Sequence, residues 1–366
     1  MASRECLNPL IAFMKKDHIT GKNKLSGFFN LKKTVEETGN DRYLLLFKHQ
    51  FYSSLLEIFL NDSRGEPILL PCRKCVNCQL NRAQEWAIRN TLESREYDPD
   101  SCLFITLTYD DDAVKSYQRH IIDYKGRIYE WYSLWKPDLQ AFVKKLRDIF
   151  KGRRIRYYGC GEYGSHTLRP HYHLLLYGLS LQDLATIVYK NKTYAVVKKR
   201  DTKDGSFYYS ELLEDEVWQK GFVDISLFSP FTASYVSRYC TKKVSDQKRI
   251  DGFIFFNGLQ TEFNCMSLKP AIAKNYAIKN LSEIYKDDEF LYHFNSKTLV
   301  LKPIKYWDRL YDIESPDNMA FIKENRKEFA KLNSYLERLE TNLNISEYLR
   351  NIEEVENKKL RERSKV

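Results

Sequence analysis

Arg169-Pro170-His171-Tyr172-His173-Leu174-Leu175-Leu176-Tyr177-Gly178 is the most informative run in this 366-residue chain. A strand sends alternate side chains to opposite faces, so His171 and His173 project together while the leucines beside them read as buried sheet. Two neutral imidazoles on one face can hold a divalent metal. A bare His-x-His is more often two unrelated histidines on a half-exposed strand, so the neighbouring segments have to decide its meaning.

Upstream, Cys102-Leu103-Phe104-Ile105-Thr106-Leu107-Thr108-Tyr109 is rich in β-branched and aromatic residues and is closed by three aspartates, the signature of a strand. Lys136-Pro137-Asp138 opens a helix in which Leu139, Phe142, Val143, Leu146, Ile149 and Phe150 recur at helical spacing, with Lys144, Lys145 and Arg147 outward. The run from Arg154 to Cys160 reads as another strand, and Ser229-Pro230 supplies an N-cap and first-turn proline for a helix to about Lys243. A further helix is expected from about Asn77 to Glu93. This order predicts an α+β fold: a central antiparallel sheet with helices on one face, the other face open to a ligand, and a helical C-terminal extension. Residues 1–70 are expected to be an irregular lead-in, 71–276 the main domain with an insertion at about 181–228, and 277–366 mainly helical and charged. In that last region Ile322, Phe329, Leu332, Leu336, Leu339 and Leu343 form an apolar stripe expected to pack on its own domain.

Lys and Arg number 59 against 49 Asp and Glu, a net charge of +10 that makes a polyanion the first partner to suspect. No apolar run approaches the roughly 20 residues that span a bilayer, which predicts a soluble, intracellular protein with no membrane partner. Eight scattered cysteines are too sparse for a disulfide scaffold. Cys72, Cys75 and Cys78 form C-x2-C-x2-C, three thiolates where a structural zinc site takes four ligands. Reduced thiols at a tight turn are the expectation there, and zinc would have to recruit a distant residue such as Cys102.

On the helix after Ser229, Tyr235 and Tyr239 lie four residues apart and share a face, with Lys242 one turn beyond and Lys243 beside it. Tyrosines at this spacing commonly face a core, but a phenol can also act as a covalent nucleophile when a cation and a metal offset its developing charge. Glu162, in Gly161-Glu162-Tyr163-Gly164, lies a short hairpin from His171 and would add the oxygen ligand that Mg²⁺ or Mn²⁺ favours. Lys144, Lys145, Arg147, Lys151, Arg153, Arg154, Arg156 and Arg169 are a basic stretch expected to border the site and grip nucleic acid, with Tyr157 and Tyr158 stacking unpaired bases.

Taken in order, Phe104-Ile105-Thr106-Leu107-Thr108-Tyr109, Gly161-Glu162-Tyr163-Gly164, the histidine run and Tyr235-Val236-Ser237-Arg238-Tyr239-Cys240-Thr241-Lys242-Lys243 resemble the HUH endonuclease superfamily. The likeness is closest to the replication initiators of small single-stranded DNA phages, the Microviridae, of gokushovirus-like type. It extends to Pro71-Cys72-Arg73-Lys74-Cys75-Val76-Asn77-Cys78 and to the segment from Phe263 to Tyr276. The resemblance implies an RRM-like core and rolling-circle DNA replication by metal-dependent nicking and joining of single-stranded origin DNA through a 5′-phosphotyrosine. His171 and His173 match the HUH ligands, with Glu162 as third ligand for Mg²⁺ or Mn²⁺, and Tyr235 and Tyr239 match the paired nucleophiles of the two-tyrosine subgroup. Lys242 or Lys243 would offset phenolate or phosphate charge. The site of action would be the host bacterial cytoplasm. No G-x-x-x-x-G-K-[ST] occurs, so strand separation is expected to fall to a host helicase and the host replication machinery. A plasmid initiator, relaxase or transposase of the same chemistry, or a non-catalytic nucleic-acid-binding viral protein, are the alternatives.

Overall fold

The computed structural model describes residues 6–7, 9–16, 23–30, 65–122, 125–164, 167–202, 205–238, 258–294, 297–340 and 350–358. They divide into two compact units, one of Met1–Arg82, Ile284–Phe290 and Val300–Val366, the other of Ala83–Glu283 and Leu291–Leu299.

Where an irregular lead-in is expected, the first unit begins with strands β1 (Leu10–Lys16), β2 (Asn23–Asn30) and β3 (Glu66–Leu70), in the order β2-β1-β3. β1 lies antiparallel to β3, with Leu10 opposite Leu70, and buries Ile11, Ala12 and Phe13. The short alternation of Leu10-Ile11-Ala12-Phe13 is too brief to stand out against the polar chain around it, which is why its strand character is visible only once it is paired. The next element is helix α1 (Val76–Ser94), close to the span read from sequence.

The second unit is built on strands β4 (Cys102–Tyr109), β5 (Gln118–Ile122), β6 (Ile128–Tyr132), β7 (Arg156–Tyr163) and β8 (Pro170–Tyr177). Between them run helices α2 (Asp111–Lys115) and α3 (Lys136–Ile149). Helix α4 (Leu181–Thr186), strands β9 (Val188–Tyr189), β10 (Lys192–Thr193), β11 (Val196–Thr202) and β12 (Gly205–Ser210), a π-helical segment Leu212–Trp218 and strand β13 (Gly221–Leu227) follow. Helix α5 (Pro230–Arg238) and strand β14 (Phe263–Met266) come next.

Seven of these strands form one antiparallel sheet in the order β11-β12-β13-β4-β8-β7-β14. The antiparallel α+β architecture is therefore the one expected. The segment taken for an insertion, however, supplies part of the central sheet. β13 pairs with β4 along its whole length, from Gly221 opposite Tyr109 to Leu227 opposite Leu103, and β11 and β12 carry the sheet outward from it.

The two faces are covered differently. On one, Leu139, Phe142, Val143 and Leu146 of α3 pack with Leu103, Ile105, Leu107, Tyr172, Leu174 and Leu176; full burial of such side chains contributes roughly 1.5–3 kcal/mol each. The N-terminus of α3 is tied to this layer by Asp138, which accepts from the hydroxyls of Tyr109 at 2.7 Å and Tyr117 at 2.5 Å. The opposite face is not left open, as a one-sided arrangement of helices would leave it. Ala233 and Val236 of α5 and Ile272 pack on Phe104, Tyr158, Leu175 and Tyr177, with Trp86 of α1 and Tyr235 against the same cluster.

The chain continues through helix α6 (Lys274–Lys286), strands β15 (Phe290–Phe294) and β16 (Lys297–Leu301) and helices α7 (Lys305–Glu314) and α8 (Pro316–Glu340). Arg326 of α8 pairs with Asp288 and, at 2.9 Å, with Asp308 of α7. Contrary to the expected packing of the apolar stripe, Phe329 and Leu332 are exposed. Among the described residues no helix is long and apolar enough to cross a membrane.

Candidate active site on the sheet face

The register of the sheet assembles the site. Thr106 and Thr108 of β4 lie opposite His173 and His171 of β8, and Glu162 of β7 lies opposite His171. Residues directly paired across an antiparallel ladder point to the same face. Thr106, Thr108, His171, His173 and Glu162 therefore share one face, the one on which α5 lies. Glu162 was expected in a loop just past its strand, but β7 runs on to Tyr163, so this carboxylate is a strand residue. It is only 8% exposed, and its Oε1 sits 3.0 Å from His173 Nε2.

Each imidazole is held through its other nitrogen. Thr108 Oγ1 is 3.0 Å from His171 Nδ1, and Thr106 Oγ1 is 2.9 Å from His173 Nδ1. A hydroxyl both donates and accepts, so it can serve either tautomer. With Nδ1 protonated and donating to threonine, Nε2 presents a lone pair to an ion; with Nε2 protonated, His173 donates to Glu162 instead. Burial, and then the neighbouring His173, hold His171 below the ordinary histidine pKa, with Arg169 acting in the same sense and Glu162 against it. The neutral, ligating form is thereby favoured.

Glycines at both ends of Gly161-Glu162-Tyr163-Gly164 make room for this arrangement. A Cβ on Gly161 would come within 2.8 Å of the Phe263 ring on the core face, and one on Gly164 within 3.2 Å of His171 Nε2. A side chain at Gly164 would crowd the nitrogen that has to face a ligand.

Helix α5 brings the tyrosine. Ser229 and Thr232 cap it reciprocally, Thr232 N–H donating to Ser229 Oγ at 3.1 Å and Ser229 N–H to Thr232 Oγ1 at 2.9 Å. The Tyr235 ring meets His173 edge-on at 5.5 Å between centroids and Phe104 edge-on at 6.0 Å, while Phe104 stacks on His173 at 5.7 Å. The helix is held in place by a buried hydrogen-bonded chain: Asn90 Nδ2 of α1 donates to Ser237 Oγ at 3.3 Å, and Tyr177 OH donates toward Asn90 Oδ1 at 3.1 Å. Asn90→Leu is expected to cost about 1–3 kcal/mol by leaving these buried groups unpaired. It should also lower any activity of Tyr235 more than it lowers nucleic-acid affinity, since it loosens α5 without touching the exposed surface; urea denaturation and a binding titration check the two effects. Tyr239, Lys242 and Lys243 lie outside the described residues.

The proposed metal donors are two imidazoles and a carboxylate, a fitting set for Mg²⁺ or Mn²⁺ with further positions left to oxygen. They are gathered on one patch, but their ligand atoms are not all within the 4.8 Å of one another that the thiols of Cys6, Cys72, Cys75 and Cys78 are. Closing round an ion would require the His173–Glu162 hydrogen bond to open.

The basic stretch is dispersed by the fold. Arg156 is 4% exposed and forms a 2.6 Å ion pair with Glu93, and Tyr157 and Tyr158 are buried, so these three are structural residues and not surface contacts. Strand alternation through Arg156–Tyr163 puts them in the two layers beneath and above the sheet. Lys144, Lys145 and Arg147 ride on α3, across the sheet from the imidazoles, so they do not border the site; Lys145 donates to Gln219 at 2.8 Å and Arg147 to Ile155 O at 3.1 Å. Lys151, Arg153 and Arg154 are exposed beyond the C-terminus of α3, and Arg153 pairs with Asp183. Arg169, directly before β8, is the basic residue nearest in the chain to His171 and pairs with Asp111 at 2.8 Å.

A surface not foreseen from sequence continues the site face outward. Phe222 lies opposite Thr108 and Asp224 opposite Thr106, and Phe222 is 56% exposed. Farther out, Arg200 lies over the Phe207 ring at 4.6 Å and Lys199 over Tyr209 at 5.6 Å, with Lys199 also 2.8 Å from Asp224. Cations and aromatics on one sheet face suit a single strand with stacked bases. Their signal in sequence was masked because Lys198-Lys199-Arg200 belongs to what reads as an insertion.

Residues 102–244 match a family model described as replication-associated protein of the ORF2 type, and through this segment the chain belongs to that family of replication-associated proteins. It is 28% identical over 313 residues to the replication-associated protein ORF2 of Spiroplasma virus 4, covering 83% of this chain and 87% of that one. It is 34% identical over 182 residues to the replication-associated protein VP4 of Bdellovibrio phage phiMH2K, covering 48% of this chain and 49% of that one. It is also 31% identical over 178 residues to the replication-associated protein ORF4 of Chlamydia phage 1, covering 48% and 38% of the two chains. No solved structure matches significantly. The expected kinship with phage replication proteins therefore holds.

Proposed function

We propose that this chain is a phage rolling-circle replication initiator that nicks and rejoins single-stranded origin DNA through a 5′-phosphotyrosine. The observation that carries the reading is the meeting of Tyr235 with His173, whose Nε2 is 3.0 Å from Glu162, on the sheet face that also holds His171. The family match supports a role in replication.

His171, His173 and Glu162 would hold Mg²⁺ or Mn²⁺, which when bound supplies charge withdrawal from the scissile phosphate. Thr106 and Thr108 orient the imidazoles, and α5 presents the phenol beside them. The Tyr235 oxygen attacks phosphorus, a P–O bond to tyrosine forms, and the bond to the 3′-oxygen breaks. That oxygen leaves as a hydroxyl, taking up a proton equivalent to the one the phenol gives up. Tyr239 is the second nucleophile in this scheme, cleaving the regenerated junction so that the released 3′-hydroxyl can close a circle on the first phosphotyrosine. Lys242, with Lys243, offsets the phenolate charge. Arg169 and the aromatic and basic face of β11, β12 and β13 hold the strand.

Incubation of the full chain with an origin-bearing single-stranded oligonucleotide and Mn²⁺ tests this. The expected product is a protein–DNA adduct that survives SDS, persists in reduced amount in each single Tyr→Phe variant and disappears in Tyr235→Phe/Tyr239→Phe. An adduct that forms undiminished in the double variant, or none with any related phage origin, overturns the proposal in favour of a binding protein.

A further inference from the structure

Three thiols of the C-x2-C-x2-C run are joined by a fourth from 66 residues before its first cysteine. The Sγ atoms of Cys6, Cys72, Cys75 and Cys78 all lie within 4.8 Å of one another. Cys6 Sγ is 3.9 Å from Cys75 Sγ, and Cys72 Sγ is 4.0 Å from Cys78 Sγ. A tetrahedral ion with metal–sulfur bonds of about 2.3 Å has sulfur–sulfur edges of about 3.8 Å, whereas a disulfide brings two sulfurs to about 2.05 Å. The spacing is that of ligands around an ion, and all four are free cysteines.

Cys6 is delivered by strand pairing. Leu10 of β1 lies opposite Leu70 of β3 in an antiparallel ladder, so the chain just before β1 is set beside the chain just after β3. Cys102, the fourth ligand suggested by sequence, instead opens β4, where its thiol faces Ser94 O at 3.9 Å.

The backbone around the cluster is arranged for thiolates. Cys72 N–H donates to Cys6 Sγ at 3.3 Å, and the N–H groups of Lys74 and Cys75 donate to Cys72 Sγ at 3.4 and 3.2 Å. Arg73 takes a left-handed φ of 61°, which folds the turn so that successive amides face one sulfur. Gln79 N–H donates to Cys75 O at 3.1 Å, so Cys75 immediately precedes the first turn of α1 and Cys78 lies within it. The N-terminal end of a helix favours negative charge.

We propose that Cys6, Cys72, Cys75 and Cys78 bind one structural Zn²⁺ as a tetrathiolate. Four protein sulfurs leave no open position, so the site is structural and not catalytic, and thiolates select zinc over the hard ions suited to the histidine site. Binding exchanges four thiol protons for the ion with no change of oxidation state. The ion ties the chain before β1 to the turn that leads from β3 into α1. This assignment is independent of the nicking reading.

Metal analysis of the full-length protein, purified without chelator, should find one zinc per chain, released by a mercurial reagent. Cobalt substitution should give the thiolate-to-metal charge transfer and visible bands of a tetrahedral sulfur site. Cys6→Ser should lose most of the bound zinc, Cys6→His should retain it with an altered cobalt spectrum, and Cys102→Ser should change neither. If Cys6→Ser does not fold, the wild-type metal content and cobalt spectrum decide. Absence of zinc with all four thiols reactive in the native protein, a mass showing disulfides among them, or zinc that persists unchanged in both Cys6 variants would each overturn the proposal.

Discussion

His171→Ala is expected to reduce strand cleavage by roughly three orders of magnitude or more while leaving single-strand affinity nearly unchanged. The magnitude follows from removing one ligand of an ion that stabilises several kcal/mol of transition-state charge, at about 1.4 kcal/mol per tenfold in rate. The selectivity follows from position: His171 sits among Thr108, Glu162 and Gly164 on the sheet, whereas the exposed aromatic and basic side chains lie farther out on β11, β12 and β13. Thr108→Val is the graded counterpart. It keeps the imidazole but removes the hydroxyl 3.0 Å from Nδ1, and loss of such a partner typically lowers metal affinity by about 10–100-fold. Excess Mn²⁺ should therefore rescue Thr108→Val and not His171→Ala. Gel analysis of labelled oligonucleotide cleavage, beside fluorescence anisotropy of binding, reads both quantities. Equal loss of cleavage and affinity in His171→Ala would count against the division of labour.

The second large effect is on stability. Arg156→Ala should destabilise the second unit by about 3–5 kcal/mol, because it leaves the Glu93 carboxylate buried without its cation. Glu93 is 4% exposed, with Oε1 2.6 Å from Arg156 Nε and Oε2 accepting from Ala273 N–H at 2.6 Å. The pair thus joins α1, β7 and the segment that leads into α6. At temperatures where the variant remains folded, its affinity for single-stranded DNA should match the parent's, while Arg169→Ala and Arg200→Ala should weaken binding without moving the urea midpoint. A drop in affinity at an unchanged midpoint would return Arg156 to the DNA-contacting surface.

These two residues show where reading the chain succeeds and where it stops. Alternation in His171-Tyr172-His173 is a local property, so the shared face of the imidazoles is legible before any partner strand is known. So are α3, from its apolar spacing, and the start of α5, from Ser229-Pro230. Arg156 looks like its neighbours Arg153 and Arg154 in sequence, yet it lies one strand position inside the sheet, where Glu93 of a distant helix meets it. Tyr157 and Tyr158 are likewise aromatic residues whose burial depends on which layers cover β7.

The main strand and helix types, the common face of His171 and His173, the capped helix that carries Tyr235 and the kinship with phage replication proteins are thus written in the chain itself. They are encoded in periods of two and of three to four residues and in short motifs, which require no knowledge of distant contacts. Folding had to establish that Thr106 and Thr108 hold the imidazoles, that Glu162 is a buried strand residue against His173, that α3 and its lysines lie across the sheet from them, and that Cys6 joins three cysteines far along the chain. Each depends on which strands pair and in what register, a choice made by burial summed over the whole sheet and recorded in no single stretch of residues.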